Sequence, residues 1–231
     1  MLRETVPTGE EYWARTAKAI PDFPLEERRM AIALLRELAK GKPVGFEQLG
    51  SALGVTPAAA QAYLELPTVA SFALRDREGS VTAFSGLSTV RTRHSFQVGD
   101  VQLWTWCATD TLFLPALLEQ RAHVRSTDLE NGAEVRLTVS PRSIEKAEPN
   151  GAVVSFPQLD ADAVLASASN IVKTFCHFIF FFASRESGER WGEKHPGTFL
   201  LSLHEAMAWG ARFNARNFGL RGNGTWEGQP L

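Results

Sequence analysis

Helical periodicity and strand-like runs occupy different stretches of this chain. Up to residue 64 the apolar residues recur mainly at helical spacing, interrupted by proline and glycine; from residue 71 onward short β-rich runs separated by turn residues dominate. The chain therefore reads as an α+β protein with antiparallel strands. Thr8-Gly9-Glu10-Glu11 can cap a short helix to about residue 19, closed by Pro21 and Pro24. Met30, Ile32, Leu34, Leu35 and Leu38 then make an apolar stripe that stops at Gly41 and Pro43. A shorter helix is expected over 46–53, with Gly54 as the turn, and Thr56-Pro57 starts another to about residue 64. Residues 71–75 and 80–84 flank Glu78-Gly79 as a hairpin. Helix, helix, turn, helix, hairpin is the order of a winged-helix-like module, which puts a domain boundary near Phe84: an N-terminal module over 1–84 and a mixed α/β core over 85–231.

In that second part strands are expected over 89–92, 94–98, 101–104, 122–125, 134–139 and 152–156, with turns at Gly99-Asp100, Asn131-Gly132 and Pro149-Asn150-Gly151. The segment around Cys107 should be helical through about residue 118. The apolar run 175–183 reads as a buried strand, and it is far shorter than the ~20 residues of a membrane helix. Glu186, Glu189, Arg190 and Glu193 look like the exposed face of a helix. Ser202-Leu203-His204-Glu205 is a capping box opening a helix toward residue 218, with Gly219 as its stop; residues 221–231 read as frayed.

Charge narrows the partners. With 24 basic and 26 acidic side chains and a pI near 6.2, the chain has no positive excess to draw it to nucleic acid or an anionic membrane, so small neutral partners fit better. The start lacks an apolar stretch behind its positive charge, which predicts a cytoplasmic protein with no membrane association. The helix after Thr56 offers only Gln61 and Tyr63 to a base edge or phosphate, and Arg75 and Arg77 are offset by Asp76 and Glu78; the module reads as scaffold rather than DNA reader.

The chemistry rests on two cysteines. Cys107 stands in Trp106-Cys107-Ala108-Thr109-Asp110, where a helix would put thiol and carboxylate on one face and the helix N-terminus would favour thiolate; Cys176 follows 69 residues later. There is no C-x-x-C spacing, and two thiols do not complete a four-ligand zinc site. Taken separately, each cysteine reads as a buried small hydrophobe; together with Asp110 they suggest soft-metal chemistry. His177 adjoins Cys176, but strand neighbours face opposite ways, so it reads as structural. Trp104, Trp106, Phe175, Phe178, Phe180, Phe181 and Phe182 are core candidates, of which Trp106 and Phe175 flank the thiols and are placed to line an apolar pocket. Arg91-Thr92-Arg93-His94 reads as a solvated or capping cluster, and Asn223-Gly224-Thr225 as a glycosylation match without consequence in an unexported chain. A cysteine hydrolase built on Cys107 lacks a histidine base tied to it by motif and leaves Cys176 idle.

The stretch Leu103-Trp104-Thr105-Trp106-Cys107-Ala108-Thr109-Asp110-Thr111-Leu112-Phe113-Leu114-Pro115-Ala116-Leu117 resembles the active-site segment of the alkylmercury (organomercurial) lyases. So do Phe175-Cys176-His177-Phe178 running into Phe181-Phe182-Ala183-Ser184, Leu137-Thr138-Val139-Ser140-Pro141, Ala147-Glu148-Pro149 and Ser202-Leu203-His204-Glu205-Ala206. The resemblance covers nearly the whole chain. It implies that Cys107, Cys176 and Asp110 are catalytic, that the two thiolates hold Hg(II) as product with Asp110 a possible further ligand, and that the N-terminal module does not read DNA. Some members carry a cysteine beside the second catalytic thiol; His177 stands there here. The implied reaction is protonolysis of a carbon–mercury bond, giving a hydrocarbon. It requires no cofactor, uses low-molecular-weight thiols for product release, and has mercuric reductase as a candidate Hg(II) acceptor. The alternative reading is a winged-helix sensor whose two thiols bind a soft metal and whose DNA affinity responds.

Overall fold

The computed structural model describes residues 9–159, 167–222 and 224–227; Thr8 and Asn223 lie outside the described residues, and with them the first helix cap and the Asn223 triplet. Five helices lead the chain: α1 (Gly9–Ala19), α2 (Leu25–Leu38), α3 (Phe46–Leu53), α4 (Pro57–Leu64) and the single turn α5 (Pro67–Ala70). The stripe on α2 is buried at Ile32, Leu34, Leu35 and Leu38, with Met30 at its rim. Thr56 caps α4 by accepting from the Ala59 N–H, and Gly54 takes the left-handed conformation that lets the chain turn between α3 and α4.

Beyond them lie β1 (Ala73–Arg75), β2 (Val81–Phe84), β3 (Leu87–Ser88), β4 (His94–Val98), β5 (Val101–Thr105), α6 (Asp110–Leu118), β6 (Ala122–Thr127), β7 (Glu134–Val139) and β8 (Ile144–Glu148). β9 (Val153–Pro157), α7 (Ala168–Thr174), a 3-10 turn at Cys176–Phe178, β10 (Phe181–Phe182), α8 (Arg185–Glu193), β11 (Thr198–Ser202) and α9 (Leu203–Phe218) follow. Eight strands form one antiparallel sheet in the order β1-β2-β3-β5-β4-β6-β7-β8, and β10-β9-β11 form a second. β6 alternates buried and exposed residues along its length, as a sheet with one solvated face requires, whereas β9 is buried throughout between its two neighbours. The hairpin β1–β2 continues directly into β3, Phe84 pairing with Leu87, and one contiguous core runs from Tyr12 to Leu220. Among the described residues no helix is long and apolar enough to cross a membrane.

Several expectations are corrected. Residues 89–92 are not a strand: the Thr89 N–H and hydroxyl both donate to the Thr82 carbonyl and the Ser88 hydroxyl accepts from the Val90 N–H, which bends the chain after β3. The run 175–183 is not one strand, because the Ser155 hydroxyl donates to the Phe178 carbonyl and accepts from the Phe180 N–H, holding a turn where periodicity alone cannot distinguish strand from helix. His94, read as solvated or capping, is buried with its Nδ1 2.9 Å from the Ser126 hydroxyl; burial and then the Arg93 charge push its pKa down to about 3. Residues 224–227 are tied to the body by a Leu220–Trp226 bridge and an Arg28–Glu227 ion pair of 2.9 Å.

Candidate active site

Local chemistry sets up the first half of the site. β5 ends at Thr105, whose hydroxyl donates to the Cys107 carbonyl at 2.8 Å, and the Trp106 N–H donates to the Gly86 carbonyl at 2.9 Å. Cys107 does not lie in the first turn of the helix; it sits in the turn before α6, which begins at Asp110. Thiol and carboxylate still meet, because Asp110 folds back to accept the Cys107 N–H on Oδ2 at 2.8 Å. Gly86 closes this turn from the other side. Its φ is +93°, and a methyl group placed on it would stand 2.5 Å from the Asp110 Cγ, so only glycine lets the carboxyl lie where it does.

The second half comes from the turn after α7. Ser167 caps α7 by accepting from the Asn170 N–H, and the helix ends at Thr174, so that Phe175 and Cys176 turn inward while His177 points out, exposed. The two halves are joined by a hydrogen bond of 3.2 Å from the Ala108 N–H to the Ile179 carbonyl. As a result a ligand atom from each of Cys107, Asp110 and Cys176 lies within 4.8 Å of the others, all three side chains being buried. A two-coordinate ion bound at roughly the ~2.3 Å of a zinc–thiolate bond needs its sulfurs about 4.6 Å apart. The 4.8 Å limit on the separations within the cluster is compatible with that span.

A cavity of about 30 Å³ opens onto this cluster. Cys176 and Asp110 line it, with Trp106 and Phe175 as expected from the sequence; Cys107, 1% exposed, is not on the wall. The rest of the wall was not foreseen from spacing: Ile20 and Phe72 from the N-terminal part, the Ser85-Gly86 turn, and Phe113, Ile171, Trp209 and Phe213. The aromatics Phe180, Phe181 and Phe182 belong to the core, away from this wall. Tyr12 on α1 is buried within electrostatic reach of both thiols, its hydroxyl donating to the Pro157 carbonyl at 2.7 Å.

Burial dominates the electrostatics. Asp110 is pushed up to about 7 by desolvation, against hydrogen bonds from Cys107 and Trp106 that favour its ionised form, so proton transfer at neutral pH is within its range. Burial also lifts the Cys107 thiol well above the ordinary range, aided by its hydrogen bond to Cys176 and by the Asp110 charge; the thiolate expected at a helix N-terminus is not favoured there. For Cys176 the largest influence is the hydrogen bond from Cys107, which favours thiolate, but desolvation and Asp110 outweigh it and the net shift is upward. Each sulfur also receives a hydrogen bond that favours its thiolate, Cys107 from the Asp110 backbone and Cys176 from the Cys107 side chain.

Comparison with known proteins is consistent with this arrangement. The profile of the alkylmercury lyase family (MerB) matches residues 87–214, more than half the chain, starting just after the Ser85-Gly86 turn. An alkylmercury lyase of Streptomyces lividans is 39% identical over 177 residues, covering 77% of this chain and 78% of its own, and one of Pseudomonas putida is 34% identical over 189 residues, covering 82% and 84%. Among solved structures, the mercury-bound form of MerB2 superposes with a TM-score of 0.66 at 22% identity, covering 89% of this chain and 96% of that one, a likeness of fold. On the matched profile and on relatives above 30% identity along most of both chains, this protein belongs to the alkylmercury lyase family.

Proposed function

We propose that this protein is an organomercurial lyase in which Cys176, Cys107 and Asp110 cleave the carbon–mercury bond by protonolysis. The observation that carries the reading is the buried cluster of two thiols and one carboxyl, all within 4.8 Å, at the end of an apolar cavity. Mercury is a soft ion and prefers thiolate to nitrogen or oxygen donors. Cys176, on the cavity wall, captures R–Hg–X first: its sulfur forms the S–Hg bond, X leaves with its electron pair, and the thiol proton leaves with it as HX. Cys107 then gives its proton to Asp110 and joins the metal as a second thiolate. Donation from two sulfurs makes the bound carbon more basic. Asp110 delivers that proton to carbon, the carbon–mercury electron pair becomes the new C–H bond, and R–H departs while Hg(II) stays on two sulfurs. The carboxyl returns to its starting state, so the reaction consumes two thiol protons and no cofactor.

The apolar wall suits the organic group and keeps water from the proton on Asp110. Trp106 and Phe175 serve there as pocket residues. Exposed small thiols would then draw Hg(II) off the buried pair by exchange, with mercuric reductase as an acceptor in a cytoplasmic detoxification route. The N-terminal module, read as a winged-helix-like scaffold, would enclose the pocket through Ile20 and Phe72. The solvent face of α4 presents Ala58, Ala59, Gln61 and Ala62, without a cation for phosphate, which argues against the DNA-binding sensor. The test is product analysis: incubation with phenylmercury or methylmercury and excess thiol should release benzene or methane, and mercury captured without hydrocarbon would reject the lyase reading in favour of a soft-metal binder.

A further inference from the structure

Ser85 lies on the cavity wall, outside the residues matched by the family profile, and the proposed reaction does not use it. It follows β2, and its φ of +45° lies in the left-handed region that a serine occupies at a cost. Its N–H donates to the Phe72 carbonyl at 3.0 Å, which holds the turn, yet its hydroxyl is buried, the residue being 3% exposed, and has no hydrogen-bond partner among the described residues. The Trp106 indole Nε1 is buried and unpartnered in the same way. These two are neighbours across the backbone, since the Trp106 N–H bonds to the carbonyl of Gly86. Of the described side chains with an orphaned buried polar atom, they are the ones that line the cavity.

An orphaned buried donor costs free energy, and so does left-handed serine backbone; glycine would relieve both at this position. A wall meant only for hydrocarbon has no use for either donor. We propose that Ser85 is a specificity-determining residue: its hydroxyl, together with the Trp106 indole N–H, selects organomercurials whose organic group carries a hydrogen-bond acceptor such as a hydroxyl or ether oxygen. Bound in the cavity with its mercury on Cys176, such a group meets the two donors with its oxygen; an alkyl group of the same shape leaves them unpaired. Discrimination arises because a site holding buried polar groups rejects the analogue that cannot pair them.

The inference rests on the lyase reading, and the experiment separates the two. Hydrocarbon release is measured for 3-hydroxypropylmercury and n-butylmercury, which match in shape and differ by one oxygen, and the ratio of their kcat/KM values is compared between the wild type and Ser85→Ala, Ser85→Gly and Trp106→Phe. Comparing ratios cancels the intrinsic reactivity of each carbon. The ratio should fall about three- to tenfold in each variant, the value of one neutral hydrogen bond. Ser85→Gly should also melt no lower than the wild type, because glycine accepts the left-handed backbone without strain. An unchanged ratio in all three variants, with both substrates cleaved, overturns the role of Ser85 and leaves the lyase standing. Failure of the wild type to release hydrocarbon from either substrate overturns both.

Discussion

The two cysteine segments reach the same point by different means. Cys107 is held by a dense local frame: β5 behind it, Asp110 on its N–H, Gly86 against the carboxyl, and burial within the core. Cys176 hangs on a short 3-10 turn after a seven-residue helix, lines the cavity, and is flanked by an exposed His177. In the proposed reaction the contrast becomes a division of labour: the sulfur on the wall meets the incoming organomercurial, and the one off the wall joins afterwards, when its proton has a carboxyl to go to.

The largest effects test that division. Cys176→Ala should lose hydrocarbon release and also fail to retain an organomercurial, while Cys107→Ala should lose release but keep an intact adduct on Cys176, read by native mass spectrometry. Equal adduct formation by both variants would break the asymmetry. Asp110→Asn should slow release by about 10²–10⁴-fold, as expected for loss of a general acid, and still bind the organomercurial. Wild-type release rates from this variant would mean that the proton comes from another group.

The same substitution has a pH signature. Asp110 is raised from 3.8 to about 7 in the folded protein, so between those values the native state holds a proton that the unfolded chain has lost. Its contribution is fully present below about pH 4 and is lost as pH rises through 7. Relative to Asp110→Asn, the wild type should therefore lose up to about 4 kcal/mol between pH 4 and pH 8, measured by denaturant unfolding of both proteins. A parallel pair of stability curves would show that Asp110 is not desolvated as described.

Smaller effects separate frame from surface. Gly86→Ala puts a methyl group against the Asp110 Cγ at a left-handed φ and should destabilise by about 1–3 kcal/mol while lowering hydrocarbon release. His177→Ala, at an exposed position beside the second thiol, should change stability by less than about 0.5 kcal/mol and leave the rate within twofold. A large loss in that variant would bring His177 into the site and undo the reading of the Cys176 segment.

The elements that spacing revealed are those whose signals are local. The α2 stripe, the Thr56 cap, the capping box at Ser202 and the left-handed stop at Gly219 each depend on residues a few positions apart, and all stand where the sequence put them. β8 and α7 were missed for the same physical reason in reverse. β8 is a mostly exposed edge strand with three charged residues in five, and α7 is too short for periodicity to register.

For the site, residue types alone nominated Cys107, Asp110 and Cys176, since few patterns place a carboxyl three residues after one of only two thiols. The sequence also named Trp106 and Phe175, by adjacency. It assigned the wrong cause to the Cys107–Asp110 contact, a shared helix face in place of a backbone hydrogen bond, and so the wrong direction to the Cys107 pKa. Tertiary structure alone decided that thiols 69 residues apart share one cavity, which of them faces it, and that Ser85, Gly86, Ile20 and Phe72 complete its wall. Desolvation is a property of everything packed around a group, drawn here from Ile20 just after α1, the β2–β3 turn, α6, α7 and α9 together, and no window of sequence contains it.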